Sequence, residues 1–218
     1  MKKIHKFNAF TLAETLLTLT IVGVIAALTI PGLRNHSDEV KYVALAQKAY
    51  SNIASATSAV EVKHGDAQFW DFGNGQGQNQ NLINWYKDAM STIANTQANW
   101  SYYNPDGTPA GGFGPSFTTA DGMAWIETRG AYPCGGGAFL VDTNGPQAPN
   151  AVGVDIHGFR VGGMCDGTTS KGEFGVYPMG DGQNDMNNVW ACTAYVIKHK
   201  KMPWLNGGYA DCTSLLGQ

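Results

Sequence analysis

One stretch near the N-terminus decides how this chain is built: residues 10–30 read FTLAETLLTLTIVGVIAALTI. A helix of these 21 residues rises about 1.5 Å per residue, so it can cross the roughly 30 Å hydrocarbon layer of a membrane. Glu14 is the only charged residue between Phe10 and Leu33. Because a carboxylate inside a membrane is costly, we expect Glu14 to have a partner or a function.

The charged residues on either side of this stretch predict its orientation. Lys2, Lys3 and Lys6 precede it without any acidic residue, and Asp38 and Glu39 follow it. The positive-inside rule therefore predicts a single-pass protein of the inner membrane, with its N-terminus in the cytoplasm and the bulk of the chain outside.

The position of the small residues predicts how the segment is processed. A secretory signal is cut after its apolar core at residues spaced as A-x-A. That spacing fails around residues 26–29, and the small residue Ala9 instead precedes the core. Cleavage after Ala9 would remove the basic head and keep the whole apolar helix.

The run Phe10-Thr11-Leu12-Ala13-Glu14 resembles the processing motif of type IV pilins and of the pseudopilins of type II secretion, over roughly residues 1–60. The resemblance implies that a prepilin peptidase removes the leader 1–9 and that the new amine of Phe10 is N-methylated. Ala9 stands where Gly is commonest in the family, as a tolerated variant.

The resemblance also implies a structural role and no enzymatic activity. The subunit, a pilin or pseudopilin, would polymerise through its N-terminal helix with its own copies and with other pilin-like subunits. Glu14 would meet the amine of a neighbouring subunit, and Pro31 occupies the position of the family's helix-bending proline. After cleavage Glu14 would lie one turn from the N-terminus, where the helix dipole favours a negative charge.

Three alternatives stay open: a minor or tip pilin that acts as an adhesin, a competence pilin that takes up DNA, and an enzyme anchored by an uncut helix. Charge argues against DNA, because the chain has 14 Lys+Arg and 17 Asp+Glu and the leader removes three lysines, which leaves 11 − 17 = −6. No nucleic-acid partner is therefore expected. The exception is a small basic patch at Lys198, Lys200 and Lys201.

Periodicity predicts an α+β fold. A stripe of apolar residues indicates that the helix runs over 10–64, with 10–30 in the membrane. Pro31-Gly32 should weaken or bend this helix, and Ser37 resembles an N-cap for its second half. The stripe would pack on the chain's own sheet or on a coiled-coil partner. It consists of Tyr42, Ala46, Ala49, Ile53, Ala56 and Val60.

The remainder, residues 65–218, is predicted to be one globular domain. Short apolar runs separated by turn residues follow residue 116, and Asp121-Gly122 indicates a hairpin. They predict an antiparallel sheet of about four or five strands. A helix is predicted over 82–94, and over 189–200 a helix is favoured over a strand. The runs are 116–119, 123–128, 138–142, 154–161 and 173–177.

The chain has an even number of cysteines, Cys134, Cys165, Cys192 and Cys212, which allows two disulfides in three connectivities. The resemblance favours Cys134–Cys165 and Cys192–Cys212, because pilins often close their C-terminal region with one bridge.

No cofactor is required by any motif, but a structural calcium ion is a candidate. Asp142, Asn144 and Asp155 form the densest group of oxygen ligands, and calcium prefers such ligands. Major pseudopilins hold calcium in a C-terminal loop, so the resemblance implies the same here. The alternative is a tight β connection stabilised by Asx turns. The run 181–185 is a weaker second candidate.

Other residues give no catalytic pattern. The histidines at 36, 64, 157 and 199 are scattered, without a metalloprotease or nucleophile motif. The aromatic residues admit two interpretations, a binding surface or core packing. They are Trp70, Trp85, Trp100, Tyr102, Tyr103, Trp125, Trp190 and Trp204.

Overall fold

The computed structural model describes residues 11–72, 80–93, 99–129, 136–165, 170–180, 190–206 and 212. Within these, only the backbone is described for residues 34–35, 128–129, 164–165 and 170–173. The chain divides into two compact units, Met1–Asp38 and Glu39–Gln218.

Helix α1, Leu12–His64, is the longest element, with 53 residues. Pro31 lies inside it, and the helix continues past Pro31 although proline cannot donate a backbone hydrogen bond. Ser37 also lies inside α1. The prediction that Ser37 caps a second helix is therefore wrong, because the helix does not restart there.

The other helices are short. Helix α2 is Gln80–Ala89 and helix α3 is Ala191–His199, and 3-10 turns form at Ala67–Phe69 and Pro203–Asn206. The helical prediction for 189–200 is confirmed. The helix predicted over 82–94 ends earlier, and Thr92–Ile93 is a strand instead.

The sheet has six antiparallel strands in the order β1-β4-β5-β6-β7-β8, and a separate pair is formed by β2 and β3. Five of the six were predicted, and the sixth, β1, is too short to show a period. The strands are β1 Thr92–Ile93, β2 Trp100–Tyr103, β3 Pro109–Phe113, β4 Phe117–Thr119, β5 Ala124–Arg129, β6 Gly136–Asp142, β7 Ile156–Cys165 and β8 Ser170–Pro178.

One face of the sheet packs against α1 and α2. Trp125, Phe139 and Phe159 lie in a single buried cluster with Ile53 of α1 and Tyr86 of α2. Side chains two apart on a strand share a face, so alternate residues of β5, β6 and β7 supply this core. Of the two interpretations of the apolar stripe, the structure therefore supports packing on the chain's own sheet.

The opposite face of the sheet is also covered. Ile126, Leu140 and Ile156 form a second cluster with Phe113, and Trp100 packs against it. All seven residues of β6 are buried. A strand covered on both faces is apolar at consecutive positions, which is why the predicted runs are continuous instead of alternating.

A third cluster joins α3 to the part of α1 with which the unit Glu39–Gln218 begins. Tyr42, Val43 and Ala46 pack with Cys192 and Val196. Cys192 and Cys212 form a disulfide, the pairing that was expected for the C-terminal region. Cys134 lies outside the described residues, and for Cys165 only the backbone is described, so the other expected pairing is not tested.

Candidate functional site

The first part of α1 exposes its apolar side chains. Leu12 and Leu28 are each 78% exposed, and the window that is apolar enough to cross a membrane contains no buried residue. Among the described helices, α1 alone passes this test of length and composition. Apolar residues on every side of a helix are typical of contact with lipid or with other helices.

The hydroxyl groups of this segment bond to their own helix. Thr15 Oγ1 donates to Leu12 O at 2.9 Å, and Thr20 Oγ1 donates to Leu16 O at 2.8 Å. Thr29 Oγ1 donates to Ile25 O at 2.9 Å. Such bonds supply the partners that lipid cannot provide. The segment therefore contains polar residues without leaving their hydroxyl groups unbonded.

Glu14 closes a capping box at the start of α1. The backbone N–H and the hydroxyl of Thr11 donate to Glu14 Oε2 at 2.9 and 2.8 Å. The N–H of Glu14 donates to Thr11 Oγ1 at 3.2 Å. This reciprocal pair satisfies donors that have no partner within the helix. Thr11 is thus a site residue that the sequence interpretation missed, although the spacing T-x-x-E is its usual signature.

Ala9 and Phe10 lie outside the described residues. Cleavage after Ala9 and pairing between Glu14 and an amine therefore stay predictions. Pro31 is exposed and inside α1, as described above.

The three predicted calcium ligands come together where β6 ends and β7 begins. Asp142 lies opposite Ile156 in the β6–β7 pair, and the N–H of Thr143 donates to Asp155 O at 2.8 Å. The side chains of Asp142 and Asp155 are both fully buried. Strand pairing therefore brings together two carboxylates that are separated in the sequence.

Nitrogen donors surround both carboxylates. Asp142 accepts from Trp100 Nε1 at 2.9 Å and from the N–H of Asn144 at 3.3 Å. Asp155 accepts from the N–H groups of Asn150 and Ala151 at 2.9 and 2.7 Å. Oriented as a donor, the side-chain amide of Asn150 also bonds to Asp142 Oδ2 at 3.3 Å. Each carboxylate oxygen thus has a donor within the chain.

Burial changes the acidity of this pair. It raises the pKa of Asp142 to about 8, and the nearby charge of Asp155 adds to this effect. Burial also raises the pKa of Asp155, to about 6. Two carboxylates in one buried turn disfavour simultaneous ionisation unless a cation joins them.

The turn offers too few free oxygen ligands for calcium, which takes six to eight. All four carboxylate oxygens already accept hydrogen bonds, and Asn144 Oδ1 is the one buried oxygen of the three side chains that has no partner in the described residues. The described residues contain no group of three acidic, histidine or cysteine side chains suited to a metal. Calcium therefore stays a prediction. The run 181–185 lies outside the described residues.

Several of the described histidines and most of the described aromatic residues pack against other side chains. His157 is fully buried, and burial lowers its pKa to about 4. His64 stacks on Trp85 with ring centroids 4.1 Å apart. Among the eight aromatic residues considered for a binding surface, only Tyr103 is exposed, at 39%. Of the two interpretations, the structure therefore supports core packing.

No protein-family model, curated protein or solved structure matches this chain.

Proposed function

We propose that this chain is a pilin-like structural subunit of a type II secretion or type IV pilus-like filament. It is anchored in the inner membrane by residues 10–30, cut after Ala9 by a prepilin peptidase, and polymerised through the first part of α1. It performs no catalysis. The observation that carries this proposal is an exposed apolar helical segment, residues 12–30, whose one carboxylate, Glu14, is the fifth residue after the proposed cleavage site.

The surroundings of Glu14 support this assignment. If Glu14 only capped the helix, a neutral hydrogen-bond acceptor would serve equally well at this position. A charged group within an otherwise uncharged span is instead suited to pairing with a cation in a low dielectric, where the attraction is strong. Cleavage after Ala9 would create such a cation, the amine of Phe10, on every subunit.

The test separates the charge of Glu14 from its capping bond. Glu14→Gln keeps an oxygen that can accept from Thr11 but removes the charge. We expect this variant to insert into the membrane at the level of the unchanged protein and to form no filaments, as seen by membrane fractionation and electron microscopy. Thr11→Ala is the matched control, because it removes both cap bonds of the Thr11 hydroxyl and keeps the carboxylate.

The control is expected to assemble. Normal filaments from Glu14→Gln would contradict the proposed role of the charge. Loss of filaments from both variants would assign the phenotype to the helix cap, and it would contradict the proposal equally.

A further inference from the structure

A group of exposed lysines lies at the end of α3, beside the first residues of the unit Glu39–Gln218. Lys198, Lys200 and Lys201 are all exposed, and none forms an ion pair with another described residue. The unit has ten Lys+Arg and fifteen Asp+Glu, so its net charge is 10 − 15 = −5. Three of its ten cations thus occupy four consecutive positions on an otherwise acidic unit.

A direct bond fixes this lysine group next to Glu39. The N–H of Met202 donates to Glu39 Oε1 at 2.7 Å. Met202 and Val196 are buried in the same cluster as Tyr42. The lysines therefore adjoin the residues of α1 with which the folded unit begins.

Chain length limits how far this group can be from the membrane. Only residues 31–38 separate Ile30, the end of the proposed span, from Glu39. Even a fully extended chain of that length reaches about 30 Å, and a helical one reaches about 13 Å. Glu39, which accepts the bond from Met202, can therefore lie no farther than this from the end of the proposed span.

The backbone of Lys200 has a conformation that is uncommon for a residue with a side chain. Lys200 ends α3 in the left-handed region, with φ 56° and ψ 38°, and its N–H donates to Val196 O at 2.9 Å. Glycine is preferred at such helix ends because other residues meet steric strain there. A helix C-terminus favours cations through its dipole, which explains Lys198 but not a lysine in place of glycine at position 200.

We infer that Lys198, Lys200 and Lys201 bind the anionic headgroups of the membrane from which the subunit assembles. The inference rests on the membrane anchor in the proposed function. Lysines within a Debye length of an anionic lipid surface are attracted to it through their charge. DNA is the less favoured ligand, because the unit is acidic and the lysine group is short.

The test uses the full chain in lipid nanodiscs. Discs are made from phosphatidylcholine alone or with about 40% phosphatidylglycerol. The lysines are modified with a soluble amine-reactive reagent, and mass spectrometry measures the rate at each lysine. We expect the three lysines to react about fivefold more slowly in the anionic discs, the factor expected for one lysine beside such a surface. Salt at about 0.5 M should abolish the difference.

Lys63 is the internal control, since it is exposed and lies 24 residues beyond Glu39 on α1. Its rate should be equal in both discs. Equal rates for the three lysines in both discs, or equal slowing of Lys63, would overturn the inference while leaving the anchor intact. Protection by a short DNA duplex in neutral discs, without protection by phosphatidylglycerol, would overturn it in favour of DNA. A chain that does not enter discs would instead contradict the anchor itself, and the inference with it.

Discussion

At the scale of single residues, Glu14 and Asp142 are carboxylates that the chain binds in different ways. Glu14 accepts two bonds from Thr11 at the end of a helix. Asp142 lies in a buried turn, where Trp100 and Asn144 donate to it and Asp155 repels its charge. Glu14 is therefore suited to remaining charged, whereas Asp142 is suited to holding a proton.

The contribution of Asp142 to the stability of the folded unit should therefore decrease as the pH rises toward 8, whereas His157, with its pKa lowered from 6.5 to about 4, acts in the opposite direction between those two values. Asp142 has a raised pKa of about 8 when folded and an ordinary pKa near 3.8 when unfolded. The folded state keeps a proton that the unfolded state releases, so the contribution is complete below the unfolded pKa and is lost as pH rises through the folded one. One proton gives a slope of at most about 1.4 kcal/mol per pH unit. Asp142→Asn, which cannot ionise, should flatten the curve measured by denaturant unfolding between pH 5 and about 8.5.

Adding calcium to the same unfolding experiment tests the predicted metal site. A bound cation would favour both carboxylates in their charged forms, so added calcium should restore stability at pH 8 in the unchanged chain and not in Asp142→Asn. A pH profile that is equally steep in the variant would contradict the assignment to Asp142. No calcium effect in either chain would contradict the predicted metal site.

Part of the candidate site could be predicted from the sequence. The spacing from Thr11 to Glu14 is a readable capping signature, and Asp142, Asn144 and Asp155 were grouped by residue type alone. Their hydrogen-bond partners were not predictable, because Trp100 reaches Asp142 from a strand 42 residues earlier. The left-handed backbone of Lys200 was also hidden, since sequence signals for that conformation depend on Gly or Asn.

At the scale of elements, long periodic patterns were predictable and short ones were not. The apolar stripe through Ala46, Ile53 and Val60 located the buried side of α1. Strands β4 to β8 were predicted from short apolar runs, which are continuous in β6 because that strand is covered on both faces. Strands β2 and β3 were missed, since glycine and proline interrupt β3 and neither strand alternates clearly in sequence.

One buried hydrogen bond joins α1 to α2 within their shared apolar cluster. The hydroxyls of Thr57 and Tyr86 are 2.7 Å apart, and Thr57 Oγ1 also donates to Ile53 O at 2.8 Å. Burial raises the pKa of Tyr86, so its hydroxyl stays protonated and can donate. Tyr86→Phe should therefore lower the free energy of unfolding by about 1–1.5 kcal/mol.

Thr57→Val completes a double-mutant cycle for this contact. Each single variant removes the same bond, so the double variant should cost less than the sum of the two. Denaturant unfolding of the three variants measures this coupling. Additive losses would show that the two hydroxyls do not stabilise one another, contrary to the packing described above.

At the scale of the whole molecule, the chain combines an exposed apolar helical segment with a folded unit that has its own core. The unit Glu39–Gln218 buries three clusters around a sheet covered on both faces, and a disulfide links α3 to Cys212. The first unit, Met1–Asp38, contains the apolar segment that passes the test for a membrane span. This α+β architecture was predicted because its helix and strand periods differ clearly, whereas the proposed assembly would depend on surfaces of other subunits.

The central claim concerns the chain end from which assembly would begin. The mass of the protein isolated from its native membrane tests that claim most directly. The proposal predicts an N-terminal peptide that begins at Phe10 and carries one added methyl group on its amine. An intact N-terminus at Met1, or cleavage after the apolar segment instead of after Ala9, would contradict it.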